Sequence, residues 1–210
     1  MSGVEAAKPK VWVVEDDEAM RHSLGRLLSV GGYEPVLLSS AEEFLRSAPP
    51  AGGCLLLDLR LEGMDGRALQ AELKQRDWPY AIVFLTGHGD IPTGVAAMKD
   101  GAIDFLLKPV RARELFDALQ KAFGRYEQIL SARAERREWA LALAELSERE
   151  REVLKLVVEG LLNKQIAGRL GIALRTVKLH RANMLAKLKI GSVAELARKV
   201  ERLGLPTPPG

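Results

Sequence analysis

The chain has 210 residues, of which 47% are hydrophobic and 28% charged, with a formal net charge of +3. That length suits two small domains, the apolar content supports packed cores, and wholesale disorder is excluded. No apolar run approaches the length of a membrane span, and Met1–Lys10 lacks the apolar stretch of a signal peptide. The lone Cys54 lies in an apolar run and cannot form an internal disulfide, so its expected role is that of a small buried hydrophobe. Together these features predict a cytoplasmic protein with no membrane partner. The charge is unevenly spread: residues 1–127 hold 15 Lys and Arg against 19 Asp and Glu, residues 128–210 hold 16 against 9. From Gly160 to Ala194 there are seven basic residues and no acid, a local field suited to a polyanion such as DNA.

In chain order, Val11–Val14, Pro35–Leu38, Leu55–Leu57, Ala81–Leu85 and Phe105–Leu107 read as strands. Amphipathic helices alternate with them. Met20, Leu24, Leu27 and Leu28 form one apolar stripe, and Phe44 and Leu45 sit in a helix opened by a Ser40-x-x-Glu43 capping box. Leu69 and Leu73, then Val95 and Met98, then Leu115, Leu119 and Phe123 mark three more. Five β–α units predict a doubly wound five-stranded parallel sheet, with chemistry at the carboxyl ends of its strands.

Residues 128–145 are rich in Ala, Arg and Glu without Gly or Pro, and predict a helical continuation. A second apolar pattern follows. Ser147-x-x-Glu150 is a capping box ahead of Val153, Leu154 and Val157, and Gly160 ends that helix. Asn163 is expected to cap the next, which buries Ile166, Ala167 and Leu170 and stops at Gly171. A third runs from about Leu174 to Leu188. Ser192-x-x-Glu195 caps a fourth ending near Gly204, and a Pro-rich tail, expected to be disordered, closes the chain.

The chemistry clusters at strand ends. Glu15, Asp16 and Asp17 follow the first strand, Asp58 ends the third, Thr86 ends the fourth and Lys108 follows the fifth. Crowded carboxylates repel unless a cation intervenes, and an all-oxygen site with few protein ligands suits Mg²⁺, with Mn²⁺ as an alternative. Glu15, Asp16 and Asp58 are the expected ligands. Asp58 is also the expected nucleophile toward a phosphoryl group, with Lys108 offsetting charge on the phosphoryl oxygens and the Thr86 hydroxyl donating to one of them.

Four motifs carry a resemblance: Val-Val-Glu15-Asp16-Asp17-Glu, Leu-Leu-Leu-Asp58-Leu-Arg, Leu-Thr86-Gly-His-Gly-Asp and Asp-Phe105-Leu-Leu-Lys108-Pro109. From about Lys10 to Tyr126 the chain resembles the receiver domain of bacterial two-component regulators, and the Thr86 stretch looks most like the FixJ-type branch. The resemblance implies Asp58 as phosphoacceptor, Glu15 and Asp16 as acidic metal ligands, and the Arg60 backbone carbonyl as a further ligand. It also implies that Thr86 moves toward the phosphoryl oxygen while Phe105 rotates inward, and that Lys108-Pro109 is cis. Two positions depart from the family pattern: Glu15 stands where many relatives have Asp, and Glu62 where many have Pro.

In the second half, Val177, Met184 and Leu188 form the inward stripe of the third helix, so Arg175, Lys178, Leu179, Ala182 and Ala186 face outward. An exposed Leu between cations suits a thymine methyl, and Lys178 suits a guanine edge. Lys164, Arg175, Thr176, Arg181, Lys187 and Lys189 are placed to meet phosphates. The segment Leu146–Leu203 resembles the LuxR-type helix-turn-helix, through Leu146-Ser-Glu-Arg-Glu-Arg-Glu152-Val-Leu, Glu159-Gly-Leu-Leu-Asn163-Lys164-Gln-Ile-Ala and Arg175-Thr176-Val177-Lys178-Leu-His180-Arg181. The family implies a fourth helix, here Val193–Leu203, that dimerises on DNA. Ala173 stands where relatives often place a capping Ser.

The resulting expectation is a response regulator of the FixJ/NarL family, of the FixJ-like branch. Its layout is a receiver over 9–126, a helical linker over 127–145, a helix-turn-helix domain over 146–204 and a tail over 205–210. Its expected partners are a sensor histidine kinase, double-stranded DNA with inverted half-sites, a second copy on phosphorylation, and RNA polymerase for activation. It is not expected to be an enzyme beyond Mg²⁺-dependent self-phosphorylation from a phosphodonor. An aspartyl-phosphate hydrolase would need a second acid two residues after the nucleophile, where Arg60 stands. A flavodoxin-like nucleotide binder would need a Gly/Ser-rich first loop in place of Glu15-Asp16-Asp17. His22, His88 and His180 lack metal-ligand spacing.

Overall fold

The computed structural model describes residues 8–48, 51–87 and 98–203. The apolar runs of the first half form five strands: β1 (Lys10–Val14), β2 (Glu34–Leu38), β3 (Gly53–Asp58), β4 (Tyr80–Thr86) and β5 (Asp104–Leu107). All pair in parallel, in the order β2-β1-β3-β4-β5. Side chains alternate across the sheet, so Trp12, Val14, Leu55, Leu57, Ile82 and Phe84 enter one core. Val11, Val13, Cys54, Leu56, Val83 and Leu85 enter the other. Both faces are covered, which explains why β3 and β4 are buried at every position.

The covering helices are α1 (Glu18–Val30), α2 (Ala41–Ser47), α3 (Gly66–Gln75) and the first turns of α4 (Ala112–Ala144). Leu24 and Leu28 of α1 join Leu115 and Leu119 of α4 in one core, while Phe44 of α2 joins Leu69 and Leu73 of α3 in the other. Gly66 opens α3 hard against the end of β3: a Cβ there would lie 2.2 Å from the Asp58 carbonyl oxygen, so only glycine fits this approach. Cys54, in central β3, is fully buried, and burial pushes its thiol pKa up to about 12. His88 and Val95 lie outside the described residues, and Met98 is exposed.

The chain divides into two units between Ser131 and Ala132. The second contains the end of α4, then α5 (Glu148–Val158), α6 (Asn163–Leu170), α7 (Leu174–Lys187) and α8 (Val193–Leu203). Its core joins Val153, Leu154, Ile166, Val177, Met184, Leu188 and Leu196. The segment 127–145 does more than link: Trp139, Ala142 and Leu143 pack into this same core. The two units thus combine an α/β doubly wound sheet with an all-α helix-turn-helix domain. Among the described residues no helix is long and apolar enough to cross a membrane.

The three Ser-x-x-Glu motifs behave differently. Only Ser147 closes the reciprocal box, its Oγ accepting the Glu150 N–H while the Glu150 carboxylate accepts the Ser147 N–H at 2.8 Å. Glu43 and Glu195 reach one residue further back, to the N–H of Ser39 at 2.7 Å and of Gly191 at 3.0 Å. Asn163 is not a cap. Leu162 holds that position, Gln165 accepts its N–H at 2.7 Å, and the Asn163 amide oxygen accepts instead from the Arg181 guanidinium.

Candidate functional site

The strand order reverses beside β1, so the carboxyl ends of β1 and β3 flank a crevice. Glu15 and Asp16 follow β1 there, and Asp58 ends β3. Oxygens of these three carboxylates lie within 4.8 Å of one another. Glu15 and Asp58 are buried and Asp16 is exposed, so the cluster opens to solvent on one side. Asp17 is used otherwise: it caps α1 by accepting the Met20 N–H at 2.7 Å.

Lys108, just after β5, reaches back across the sheet. Its ammonium lies 2.7 Å from Asp58 Oδ2 and donates to Glu15 Oε1 at 2.8 Å. The other Asp58 oxygen accepts the Arg60 N–H at 3.0 Å, and Asp16 Oδ2 accepts the Glu62 N–H at 3.2 Å. Glu15 Oε2 is buried and, though 2.7 Å from the ammonium, receives no aligned hydrogen bond among the described residues. Burial raises the Glu15 carboxyl to about 7; the Lys108 hydrogen bond opposes this and the Asp58 charge adds to it. Burial lowers the Lys108 pKa, but hydrogen bonds to Asp58 and Glu15 outweigh that and leave it raised. One ammonium thus serves two buried carboxylates, and an unsatisfied carboxylate oxygen points to a second cation. An all-oxygen, partly solvated set of this kind fits a hard divalent ion such as Mg²⁺.

Thr86 is fully buried at the end of β4, one residue beyond Leu85, the partner of Asp58, and its hydroxyl donates to the Gly87 carbonyl at 3.3 Å. Phe105 pairs with Phe84 in register and is half-buried. Lys108-Pro109 is cis. Sequence reasoning missed Arg21, whose guanidinium donates to the backbone carbonyls of Glu15 at 2.7 Å and Asp16 at 3.1 Å. No local pattern announces such a contact, because the acceptors are main-chain atoms.

In the second unit α6 and α7 are joined through Gly171, whose φ of +64° ends α6. On α7, Val177 and Met184 are buried while Arg175, Lys178, Leu179 and Ala182 are exposed, Leu179 by 58%. Lys164 is exposed on α6, and Thr176 is half-buried. Three of the cations expected to meet phosphates are engaged inside the unit. Arg181 bonds Asn163. Lys187 donates to the Glu150 carboxylate at 2.6 Å and to the Glu145 carbonyl at 3.2 Å. Lys189, with 80% of its side chain exposed, sits 3.6 Å from Glu138. Lys187 thereby ties α7 to buried Glu150. That hydrogen bond, with those from Ser147, holds the Glu150 carboxyl below its ordinary range.

Known proteins share both halves. Residues 11–120 match the response regulator receiver domain, and residues 144–200 match the bacterial regulatory proteins of the luxR family. Nodulation protein W of Bradyrhizobium diazoefficiens is 44% identical over 201 residues, covering 95% of this chain and 88% of that protein. Transcriptional regulatory protein FixJ of the same organism is 38% identical over 199 residues, covering 94% and 97%. The low-resolution structure of the response regulator StyR aligns with a TM-score of 0.75 at 44% identity, over 93% of this chain and all of that one. Both functional regions and nearly the whole length being matched, the chain belongs to the FixJ-like two-component response regulators, which join a receiver domain to a LuxR-type DNA-binding domain in the regulation of transcription.

Proposed function

We propose that Asp58 accepts a phosphoryl group from a sensor histidine kinase and that this switches dimerisation and sequence-specific DNA binding, activating transcription in the cytoplasm with RNA polymerase as partner. The observation that carries the reading is the Lys108 ammonium held between Asp58 and Glu15 at the end of the sheet. Glu15, Asp16, Asp58 and the Arg60 carbonyl would hold Mg²⁺, with Mn²⁺ as a substitute; when bound, the ion offsets charge on the phosphoryl oxygens. An Asp58 oxygen attacks phosphorus, the bond from phosphorus to the donor's imidazole nitrogen breaks, and its electron pair leaves with that nitrogen. Lys108 pairs with one phosphoryl oxygen and the Thr86 hydroxyl donates to another. Thr86 and Phe105 then shift together, biasing a two-state packing of the face that bears β5 and the start of α4 toward pairing with a second copy.

Incubation with acetyl phosphate and Mg²⁺ adds one phosphoryl mass to the wild-type chain and none to Asp58→Asn. An undiminished adduct in the variant would overturn the assignment.

On DNA, Lys178, Leu179 and Ala182 meet base edges, while Lys164, Arg175, Thr176, Arg181 and Lys189 meet phosphates in two inverted half-sites. The exposure of Lys178 and Leu179 side by side on α7 supports this division. Lys178→Ala is expected to cost about 1–3 kcal/mol on the preferred site and to relax preference at one base pair. Lys189→Ala weakens all sequences alike and lowers the salt slope by about one unit. Binding to operator and random DNA over a salt series separates them; an intact preference in Lys178→Ala makes Lys178 a phosphate contact.

A further inference from the structure

The loop between β3 and α3 supplies the main-chain groups that face the acidic cluster. Its Arg60 N–H meets Asp58 at 3.0 Å and its Glu62 N–H meets Asp16 at 3.2 Å. Such groups keep their aim only if the loop is held from its far side as well. That hold comes from another element. Glu42, the second residue of α2, accepts the Met64 N–H at 3.0 Å, 22 residues along the chain. At Gly63 the backbone has a φ of +79°, and a Cβ built there would lie 2.9 Å from Glu42 Oε1. Glycine therefore serves the loop twice, giving the left-handed turn and leaving room for the carboxylate. Hydrogen bonds from Glu42's own N–H, unpaired in the first turn of its helix, and from Met64 keep the carboxylate charged, below its ordinary pKa range. Glu42 is not one of the three clustered carboxylates, so it acts through the loop.

We infer that Glu42 is a positioning residue of the phosphoryl-transfer site, fixing through Met64 and Gly63 the loop that presents the Arg60 and Glu62 backbone to Asp58 and Asp16. The inference rests on the reading of Glu15, Asp16, Asp58 and the Arg60 carbonyl as the cation site. Loss of an outer-shell partner commonly weakens a metal site by about 10–100-fold. In the full-length chain, with Mg²⁺ binding followed by calorimetry, Glu42→Ala weakens affinity by about tenfold at the low end of that range. Glu42→Gln keeps wild-type affinity, because its amide oxygen still accepts from Met64. Amide exchange at Met64 accelerates in Glu42→Ala and not in Glu42→Gln. Gly63→Ala, which displaces the carboxylate and strains the turn, weakens Mg²⁺ binding in the wild type more than in the Glu42→Ala background. Wild-type affinity in Glu42→Ala, beside a wild-type chain that binds, overturns the inference and leaves the cation reading intact. Equal weakening by Ala and Gln also overturns it, since charge at a distance would then be the cause. A wild-type chain that binds no Mg²⁺ overturns the cation reading and this inference with it.

Discussion

Raising the pH of a Mg²⁺-free solution to about 7 destabilises the receiver domain, and Mg²⁺ cancels the loss. The cause is Glu15, fully buried beside Asp58, whose carboxyl is raised from 4.5 to about 7, chiefly by burial. Below the ordinary carboxylate range the group is protonated whether the chain is folded or unfolded, and the favourable contribution of the raised pKa is fully present. Between that range and about 7 the folded domain keeps a proton that the unfolded chain releases, so stability falls as pH rises. Above the folded value both states are ionised and the loss levels off, at on the order of 3 kcal/mol. A divalent ion in the cluster favours the carboxylate and binds only the folded state, so it flattens the fall. Glu15→Gln flattens it without metal. Calorimetric unfolding of the full chain across that pH range, with and without Mg²⁺, reads the effect. An unchanged fall in Glu15→Gln would assign the titration to another group.

The helix-turn-helix domain is expected to respond in the opposite sense, through Glu150. This carboxylate is 4% exposed, closes the α5 capping box and receives the Lys187 ammonium at 2.6 Å. Glu150→Ala removes a cap and a charge-assisted hydrogen bond together, at about 2–4 kcal/mol. Lys187→Ala leaves a buried carboxylate short of its cation and also destabilises the domain. Because the Glu150 carboxyl is held below its ordinary range, chiefly by Lys187, its contribution is present above that range and disappears as pH falls through the lowered value. Unfolding of the helix-turn-helix domain therefore moves to lower temperature in acid, where the contribution of Glu15 to the receiver is most favourable. The full chain's two transitions, followed at pH 7 for both variants, check the first expectation. A Lys187→Ala chain of unchanged stability but reduced salt slope on DNA would return Lys187 to the phosphates.

The sheet and the acidic cluster were legible because each rests on short-range patterns. Short apolar runs between amphipathic stretches mark strands covered on both faces, and a parallel sheet brings every strand's carboxyl end to one edge, so Glu15, Asp58, Thr86 and Lys108 group from the sequence alone. The exposed face of α7 was legible from helical periodicity in the same way, with Leu179 outward and Val177 inward. What stayed hidden are partners set by tertiary contact. Asn163 has the chemistry of a cap, yet its amide answers Arg181 on the next helix. Lys187 reads as a free cation until α5 brings Glu150 to it across 37 residues. Even the capping motifs were ambiguous, since Ser40 and Ser192 look like Ser147 in sequence, but their glutamates choose the N–H one residue earlier.

Cys54 turns the receiver into its own clock. Its thiol sits in the middle strand of the sheet with no exposed surface, and burial keeps it protonated far above neutral pH. Thiolate, the reactive form, is thus withheld until β3 is uncovered. With no second cysteine in the chain, every labelling event dates an opening of this one strand, whose last residue is Asp58. The rate at which an alkylating reagent marks the folded protein therefore reports how often this central strand comes apart from its neighbours.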